Sequence, residues 1–237
     1  MQWRHTRTEH HAFTEEGRFR VGSDAVCMRH WPITDLSVRT QSLVLRLPTL
    51  IELDRLSDVA AGGVFPDNAP HGVPFSWHVA DPSARARAVL QHAAACIGRW
   101  APEHWTLSFV VFNGDEPIGV QDLTGEDFAL RREIRTGSWL GLPYQGRGYG
   151  TEMRAGALAL ARELGGVYAT SEAHTENIAS SAVSEKLGYQ EDGVRTCVRR
   201  GQSAVVRRFR LDLRSMMSSG PVCIEGLERA RPLFGCG

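Results

Sequence analysis

The stretch that decides the fold runs from Tyr144 to Thr151 and has the sequence Y-Q-G-R-G-Y-G-T, directly after S-W-L-G-L-P at positions 138–143. Three glycines and an arginine therefore stand between an apolar run and a helical pattern. Such a segment is either a flexible turn or a loop whose bare backbone approaches a negatively charged group. Backbone N–H groups are unpaired where a helix begins, so the second interpretation predicts a pyrophosphate there, with Arg147 adding a charged hydrogen bond.

Two common phosphate-binding motifs do not fit this loop. No Lys-Ser or Lys-Thr pair follows the glycines, as a P-loop requires. The loop also lacks the closing G-x-x-G of a dinucleotide fingerprint and lies in the middle of the chain rather than after its first strand. The spacing G-x-G-x-G alone is weak evidence, and a simple turn explains it equally well.

Composition is that of a globular protein with one good-sized domain, because the 237 residues include 42% hydrophobic and 23% charged residues. Basic and acidic residues balance at 27 each, so no overall charge favours nucleic acid or an anionic membrane. The five cysteines are scattered and predict neither a disulfide framework nor a metal site. No apolar run approaches a bilayer span, and the N-terminus does not resemble a signal peptide, so we expect a cytoplasmic protein.

The order of patterns predicts one mixed α/β domain with a loose arm at residues 1–30, a domain at 31–213 and a tail at 214–237. Thr49, Asp81 and Asn177 are predicted to cap helices. The helix after Asp81 has Leu90, Ala94 and Ile97 on one apolar face, and the helix from 151 to 164 has a stripe of Met153, Ala157, Leu160 and Leu164. The predicted strands are 42–48, 106–113, 117–123, 134–142, 169–174, 190–200 and 204–213.

The segment 62–82 is long and irregular, and it contains the aromatic residues Phe65, Phe75 and Trp77. It is either a binding loop or a connector whose aromatic side chains pack on the core. The tail contains I-E-G-L-E-R-A-R-P-L-F-G, which is too apolar for free disorder. We expect it to dock on its own domain or on the partner subunit of a homodimer.

The 144–151 loop resembles the acyl-CoA pyrophosphate loop of the GNAT N-acyltransferase superfamily, written Q/R-x-x-G-x-G/A, which Gln145, Gly148 and Gly150 match. The run N-I-A-S-S-A-V-S-E-K-L-G-Y at 177–189 resembles the second family signature, on the other wall of the CoA cleft. The resemblance covers roughly residues 38–213. Within the superfamily it is similar to the ribosomal-protein alanine acetyltransferase-like branch, and also to a bacterial subgroup that uses succinyl-CoA.

The resemblance implies a largely antiparallel twisted sheet with a central splay, flanked by helices. It also implies binding of acetyl-CoA or succinyl-CoA as the acyl donor, with no metal. The backbone after the splayed strand would contact pantetheine, the loop would bind the pyrophosphate, and Asn177 would bind the far arm. The cofactor-binding residues implied are Leu140, Gly141, Leu142, Gln145, Gly146, Arg147, Gly148, Tyr149, Gly150, Thr151, Asn177 and Ser180.

Direct transfer to a primary amine needs a base for the amine and an acid for the departing thiolate. The resemblance assigns the base to Glu172, five residues before Asn177, with Glu133 and His174 as alternatives. Many relatives have a tyrosine as the acid where this chain has Ser184, which is a departure from the pattern. The resemblance therefore implies Ser180, near the thioester sulfur.

The predicted function is an N-acyltransferase that moves an acyl group, most readily acetyl, from acyl-CoA to a primary amine of a small molecule or peptide. An N-succinyltransferase is the first alternative, and a non-catalytic CoA sensor is the second. A succinyl group would need a basic residue in the pocket, and the sequence does not choose among the candidates Arg85, Arg131, Arg132 and Arg135. The acceptor stays open, because fold does not fix substrate.

Overall fold

The structure is a computed structural model, and it describes residues 28–65, 77, 80–199, 202–216 and 220–236. Most of the expected N-terminal arm and most of the irregular 62–82 segment, Phe75 included, lie outside the described residues, as does the tip of the last hairpin. Within the described ranges, no helix is long and apolar enough to cross a bilayer.

Among the described residues nine strands form one sheet, and the predicted strands all fall on members of it. The first predicted strand is shorter than expected, and a strand before it and another in the tail were not predicted. The strands are β1 (Ser37–Arg39), β2 (Val44–Arg46), β3 (His104–Asn113), β4 (Glu116–Glu126), β5 (Glu133–Leu140), β6 (Tyr168–His174), β7 (Gln190–Arg199), β8 (Gln202–Asp212) and β9 (Cys223–Glu225).

In the part of the chain that the structure describes, six α-helices connect or flank these strands, and short 3-10 turns occur at Pro32–Asp35, Leu142–Tyr144 and Arg231–Phe234. The predicted caps are confirmed: Thr49 forms a capping box with Glu52, and the side chains of Asp81 and Asn177 accept bonds from backbone N–H groups. The helices are α1 (Leu50–Ala61), α2 (Pro82–Gly98), α3 (Phe128–Arg131), α4 (Tyr149–Glu163), α5 (Ile178–Lys186) and α6 (Leu227–Ala230).

The sheet has the order β7-β8-β6-β5-β4-β3-β2-β1-β9. Neighbouring strands are antiparallel except β5 and β6, which run parallel because α4 crosses between them. The mixed, mostly antiparallel sheet with flanking helices confirms the predicted fold class.

The single parallel pair is also where the sheet opens. β5 and β6 pair only from Glu133 opposite Tyr168 to Thr136 opposite Ser171. β5 continues to Leu140 along β4, and β6 continues to His174 along β8. Beyond the last pair, β5 and β6 therefore no longer bond each other, although each still pairs with its other neighbour. The result is a V-shaped gap in mid-sheet, which we call the splay.

The helix α4 lies on one face of the sheet and carries the larger core. Its predicted stripe is confirmed, since Met153, Ala157, Leu160 and Leu164 are all buried. This core also contains buried residues of the inner strands, and the partly buried Val183 of α5 packs against it. A second, smaller core forms on the opposite face, where α1 and α2 cover β3 and β4.

The predicted apolar face of α2 is wrong. Leu90 and Ile97 are exposed, as is Ala94, and the buried residue of α2 is Val89. Alanines occur all round this helix, so its apolar stripe is poorly defined. The direction in which it faces is therefore set by packing on α1 rather than by its own pattern.

The tail extends the sheet and enters the core. β9 pairs with β1, from Ser37 opposite Glu225 to Arg39 opposite Cys223. The ring of Phe234 is fully buried and lies 4.8 Å from Trp105 and 5.3 Å from Trp100, measured between centroids. The tail therefore packs on its own domain in this chain.

Candidate active site

The loop between β5 and α4 exposes a row of backbone N–H groups. Gly146 and Gly148 have φ angles of +73° and +87°, which glycine adopts readily and other residues do not. Within the described residues, no backbone acceptor is found for the amides of residues 146–150, whereas those of Thr151 and Glu152 bond the Gly148 carbonyl. A Cβ at either glycine would meet nothing within 4 Å. The loop therefore presents bare donors at the positive end of a fifteen-residue helix.

Gln145 ties this loop to the end of β5. Its Nε2 atom donates to the Leu140 carbonyl and to the Val64 carbonyl, both at 2.8 Å. The side chain therefore positions the loop, while Arg147 beside it is exposed. Gln145 thus acts through the chain's own backbone in this structure.

Two of the amides expected to contact pantetheine are bonded within the protein. The Gly141 N–H donates to the Ile118 carbonyl at 3.0 Å, and the Leu142 N–H donates to the Gly63 carbonyl at 3.1 Å. The part of the β5 backbone left open is the edge from Gly137 to Leu140 that faces the splay.

The start of α5 lies beyond the end of β6. The Asn177 Oδ1 atom accepts from the Ser180 N–H at 3.1 Å, and Ser180 itself is half-buried. The Ser184 hydroxyl donates to the Ser180 carbonyl at 3.2 Å. Asn177 thus fixes the first turn on which Ser180 stands.

Glu172 is on β6, one residue past the last pair with β5, and it forms a two-point ion pair. Arg195 on β7 donates Nε to Oε1 at 3.1 Å and Nη2 to Oε2 at 2.6 Å. These hydrogen bonds, with weaker contributions from Arg135 and Arg208, hold the pKa of Glu172 below its ordinary value. The carboxylate is therefore ionised at neutral pH, as a base must be, but it is a weaker base than a free glutamate.

A pocket of about 230 Å³ surrounds this carboxylate on the face of the sheet opposite α4. Glu133, one alternative base, lines it and is paired with Arg131 and Arg210. His174, the other alternative, is buried and is not among the residues lining the pocket. The charged lining consists of Glu126, Arg131, Glu133, Arg135, Glu172, Arg195 and Arg208.

With this geometry, comparison with known proteins assigns the family. The model of the acetyltransferase (GNAT) domain matches residues 43–190, which is more than half of the chain. The chain belongs to the GNAT acetyltransferase family. It is therefore an acetyltransferase of the GNAT type, and the splay, the glycine loop and the cap of α5 lie inside the matched region.

Solved structures share the GNAT fold at low sequence identity. RimJ of Mycobacterium smegmatis in complex with CoA-disulfide is 17% identical, with a TM-score of 0.60 over 76% of this chain and 88% of that one. An acetyltransferase of Salmonella typhimurium that modifies the N-terminal serine of a 50S ribosomal subunit protein is 14% identical, with a TM-score of 0.58 over 73% and 96%. The microcin C7 self-immunity acetyltransferase MccE, in complex with acetyl-CoA and AMP, is 17% identical, with a TM-score of 0.59 over 73% and 93%.

Two polar clusters of this GNAT protein were missed from the sequence. The first surrounds Arg154 on α4, which is only 4% exposed and bonds three serine hydroxyls. A charged residue in a helical pattern is normally expected at the surface, so no sequence signal marks it as buried.

The second cluster joins α2 to β4 across the face that carries the Glu172 pocket. His92 Nε2 lies 2.9 Å from Asp122 Oδ2 and 3.6 Å from Cys96 Sγ. The hydrogen bond to Asp122, with a further one to Cys96, raises the pKa of His92 to about 10. His92 is therefore protonated at neutral pH and is a cation rather than a base. Only the spacing of His92 and Cys96, one helical turn apart, was visible in the sequence.

Proposed function

We propose that this GNAT protein transfers an acyl group from acyl-CoA to a primary amine by direct attack in a ternary complex. The observation that carries the proposal is the row of amide donors at residues 146–150, where α4 begins. Peptide dipoles give this end of the helix a partial positive charge, so it attracts a diphosphate. Arg147 is exposed beside it and supplies a charged donor.

The acceptor is proposed to approach on the face of the Glu172 pocket. The amine nitrogen attacks the thioester carbonyl carbon, and the carbon–sulfur bond breaks. Glu172 takes the ammonium proton, directly or through water, and Ser180 returns a proton to the departing thiolate. The similar acetyltransferase of Salmonella typhimurium modifies the N-terminal serine of a ribosomal protein, which is consistent with a peptide amine here but leaves small-molecule amines equally open.

Acetyl-CoA is the donor that we propose first, and succinyl-CoA is the second candidate. Of the four arginines considered for a succinyl carboxylate, Arg131 and Arg135 line the pocket beside Glu172. Arg85 bonds three backbone carbonyls, and Arg132 contacts Cys236. The observation that favours the second candidate is instead the buried Arg154 on α4.

Binding of CoA tests the loop assignment, and two glycines provide a matched pair. Gly148→Ala and Gly114→Ala each place a Cβ at a positive φ with no neighbour within 4 Å. Both should lower the free energy of unfolding by about 1–2 kcal/mol, the cost of the left-handed conformation. Only Gly148→Ala should weaken CoA binding, by about tenfold in calorimetry, since its Cβ covers the amides.

Equal CoA affinity of the two variants would exclude the loop as the diphosphate site. Absence of any heat with CoA at millimolar concentration would exclude the proposed function.

An enzyme is distinguished from a CoA sensor by turnover. Glu172→Gln removes the proposed base while keeping the shape of the side chain, and it should lower kcat by about 10²-fold or more. A thiol-release assay with acetyl-CoA and a panel of amines measures this. Wild-type protein that binds CoA and releases no thiol with any amine would favour the sensor, and a kcat within twofold of wild type would place the base elsewhere.

A further inference from the structure

Arg154 is a buried cation held by hydroxyl groups alone. Its Nη1 atom donates to Ser184 Oγ at 3.0 Å and to Ser171 Oγ at 3.4 Å, and its Nη2 atom donates to Ser138 Oγ at 3.3 Å. No ion pair joins it to a carboxylate within the described part of the chain. A buried charge is normally paired, because its desolvation is costly.

The guanidinium has donors left over. It carries five N–H groups, and the three serines use three of them. The Nε atom is buried with no acceptor, and Nη2 bonds only one oxygen. Nε and Nη2 form the edge that a carboxylate accepts with both oxygens. Burial lowers the pKa of this guanidinium and Tyr189 opposes the shift, but an arginine stays charged.

At the splay, an exposed serine lies next to the guanidinium of Arg154. Ser138 lies on the same face of β5 as the buried Ile134 and Thr136, yet it is exposed, because the pairing with β6 has already stopped at Thr136. Ser171, which pairs with Thr136 in that last pair, is buried. Ser138, at the open end of the gap, therefore lies next to the guanidinium, with its hydroxyl oxygen 3.3 Å from Nη2.

The position favours the acyl donor as the source of the carboxylate. Arg154 stands on α4, the helix whose first turn carries the 146–150 amides. Glu172 follows Ser171 on β6, so its side chain projects from the opposite face of the sheet. A donor held by the loop thus reaches the splay from the side of Arg154, whereas the acceptor is proposed to come from the side of Glu172.

We propose that Arg154, together with Ser138 beside it, binds a ligand carboxylate that enters the splay. This carboxylate is the terminal group of the acyl chain of the CoA thioester. The donor is then the CoA monothioester of a short dicarboxylic acid. The proposal rests on the proposed function. A carboxylate of the acceptor is the other source of the same chemistry, and the experiment separates the two.

The first measurement is the ratio of the Kd for acetyl-CoA to the Kd for succinyl-CoA, by calorimetry. We expect a ratio of at least about tenfold in wild type and a ratio near one in Arg154→Met, which keeps an unbranched apolar chain in the core. The control is Arg162→Met, which removes an exposed arginine from the same helix and should keep the wild-type ratio.

A second pair of variants applies if Arg154→Met does not fold. Ser138→Asp places a carboxylate beside Nη2 of Arg154 at an exposed position. This carboxylate should occupy the guanidinium and reduce the ratio of the Kd for acetyl-CoA to the Kd for succinyl-CoA to about one. Ser138→Asn has the same size without the charge and should keep a clear preference for succinyl-CoA.

The last measurement tests the acceptor. The unfolding midpoint with saturating CoA is recorded with alanine or with alaninamide. Stabilisation by alanine alone, lost in Ser138→Asp and kept in Ser138→Asn, would assign the carboxylate to the acceptor. Suppose that CoA binds, but that acetyl-CoA and succinyl-CoA have equal Kd values and that alanine and alaninamide give equal unfolding midpoints. This proposal is then wrong, while the proposed function stands. If CoA itself does not bind, both fail.

Discussion

Glu172 and Arg195 show how a single contact can set the chemistry of a predicted base. Glu172 falls within the predicted strand 169–174, and in the structure it is on β6 at the splay. Its partner is 23 residues further on, on a strand that reaches it only through β8. No local pattern in the sequence joins the two residues, because the registers of two strand pairs bring them together.

Removal of this partner should shift the pH dependence of the reaction. Arg195 is the main cause that lowers the pKa of Glu172, so in Arg195→Gln that pKa should rise towards its ordinary value. A base must be deprotonated, and the acid limb of kcat/KM should therefore move to higher pH. The control is Arg214→Gln, which breaks an exposed pair with Asp212. An acid limb that stays in place in Arg195→Gln would mean that Glu172 is not the titrating base.

At the scale of elements, local chemistry determines where helices begin. Thr49, Asp81 and Asn177 were predicted as caps from residue type and position, and each accepts the expected backbone bond. The face that a helix buries is less local. The stripe of α4 is dense enough to be predicted, whereas the apolar residues of α2 allow several orientations, and the predicted one was wrong.

Asn177, the cap of α5, and Asp81, the cap of α2, provide a matched test of the role proposed for α5. Asn177→Ala and Asp81→Ala should each lower the free energy of unfolding by about 1 kcal/mol, because each leaves an N–H group without its acceptor. Only Asn177→Ala should also raise the KM for acyl-CoA, since α5 carries Ser180 and forms one wall of the proposed cleft. Urea unfolding and steady-state kinetics measure the two effects. An equal KM for acyl-CoA in both variants would show that the Asn177 cap does not contribute to donor binding.

At the scale of the whole molecule, the tail closes one edge of the sheet and fills the core beside it. β9 pairs with β1, and the Trp100 indole N–H donates to the Leu233 carbonyl at 2.8 Å. The sequence indicated that the tail is too apolar to be free, but not which surface it covers. Trp100 and Trp105 contact Phe234, and Phe128 packs against Trp105.

The contribution of the tail can be measured at one side chain. Phe234→Ala should lower the free energy of unfolding by about 3–5 kcal/mol, because it leaves a cavity among Trp100, Trp105 and their neighbours. Leu130→Ala, at a residue that is 86% exposed, should change it by less than about 0.5 kcal/mol. A loss below 1 kcal/mol in Phe234→Ala would show that the tail does not pack on the core in solution.

The sequence by itself determined the features that depend on neighbouring residues: the helix caps, the stripe of α4, the glycine loop and the alternation of most strands. Dihedral preferences, backbone donors and periodicity act over a few residues, so they are visible in the chain. Only the tertiary structure decided the splay, the ion pair of Glu172 with Arg195, the burial of Arg154 and the packing position of Phe234. Each of these depends on strand register or on packing between segments far apart in the chain, and burial and Coulomb energies act through space rather than along the sequence.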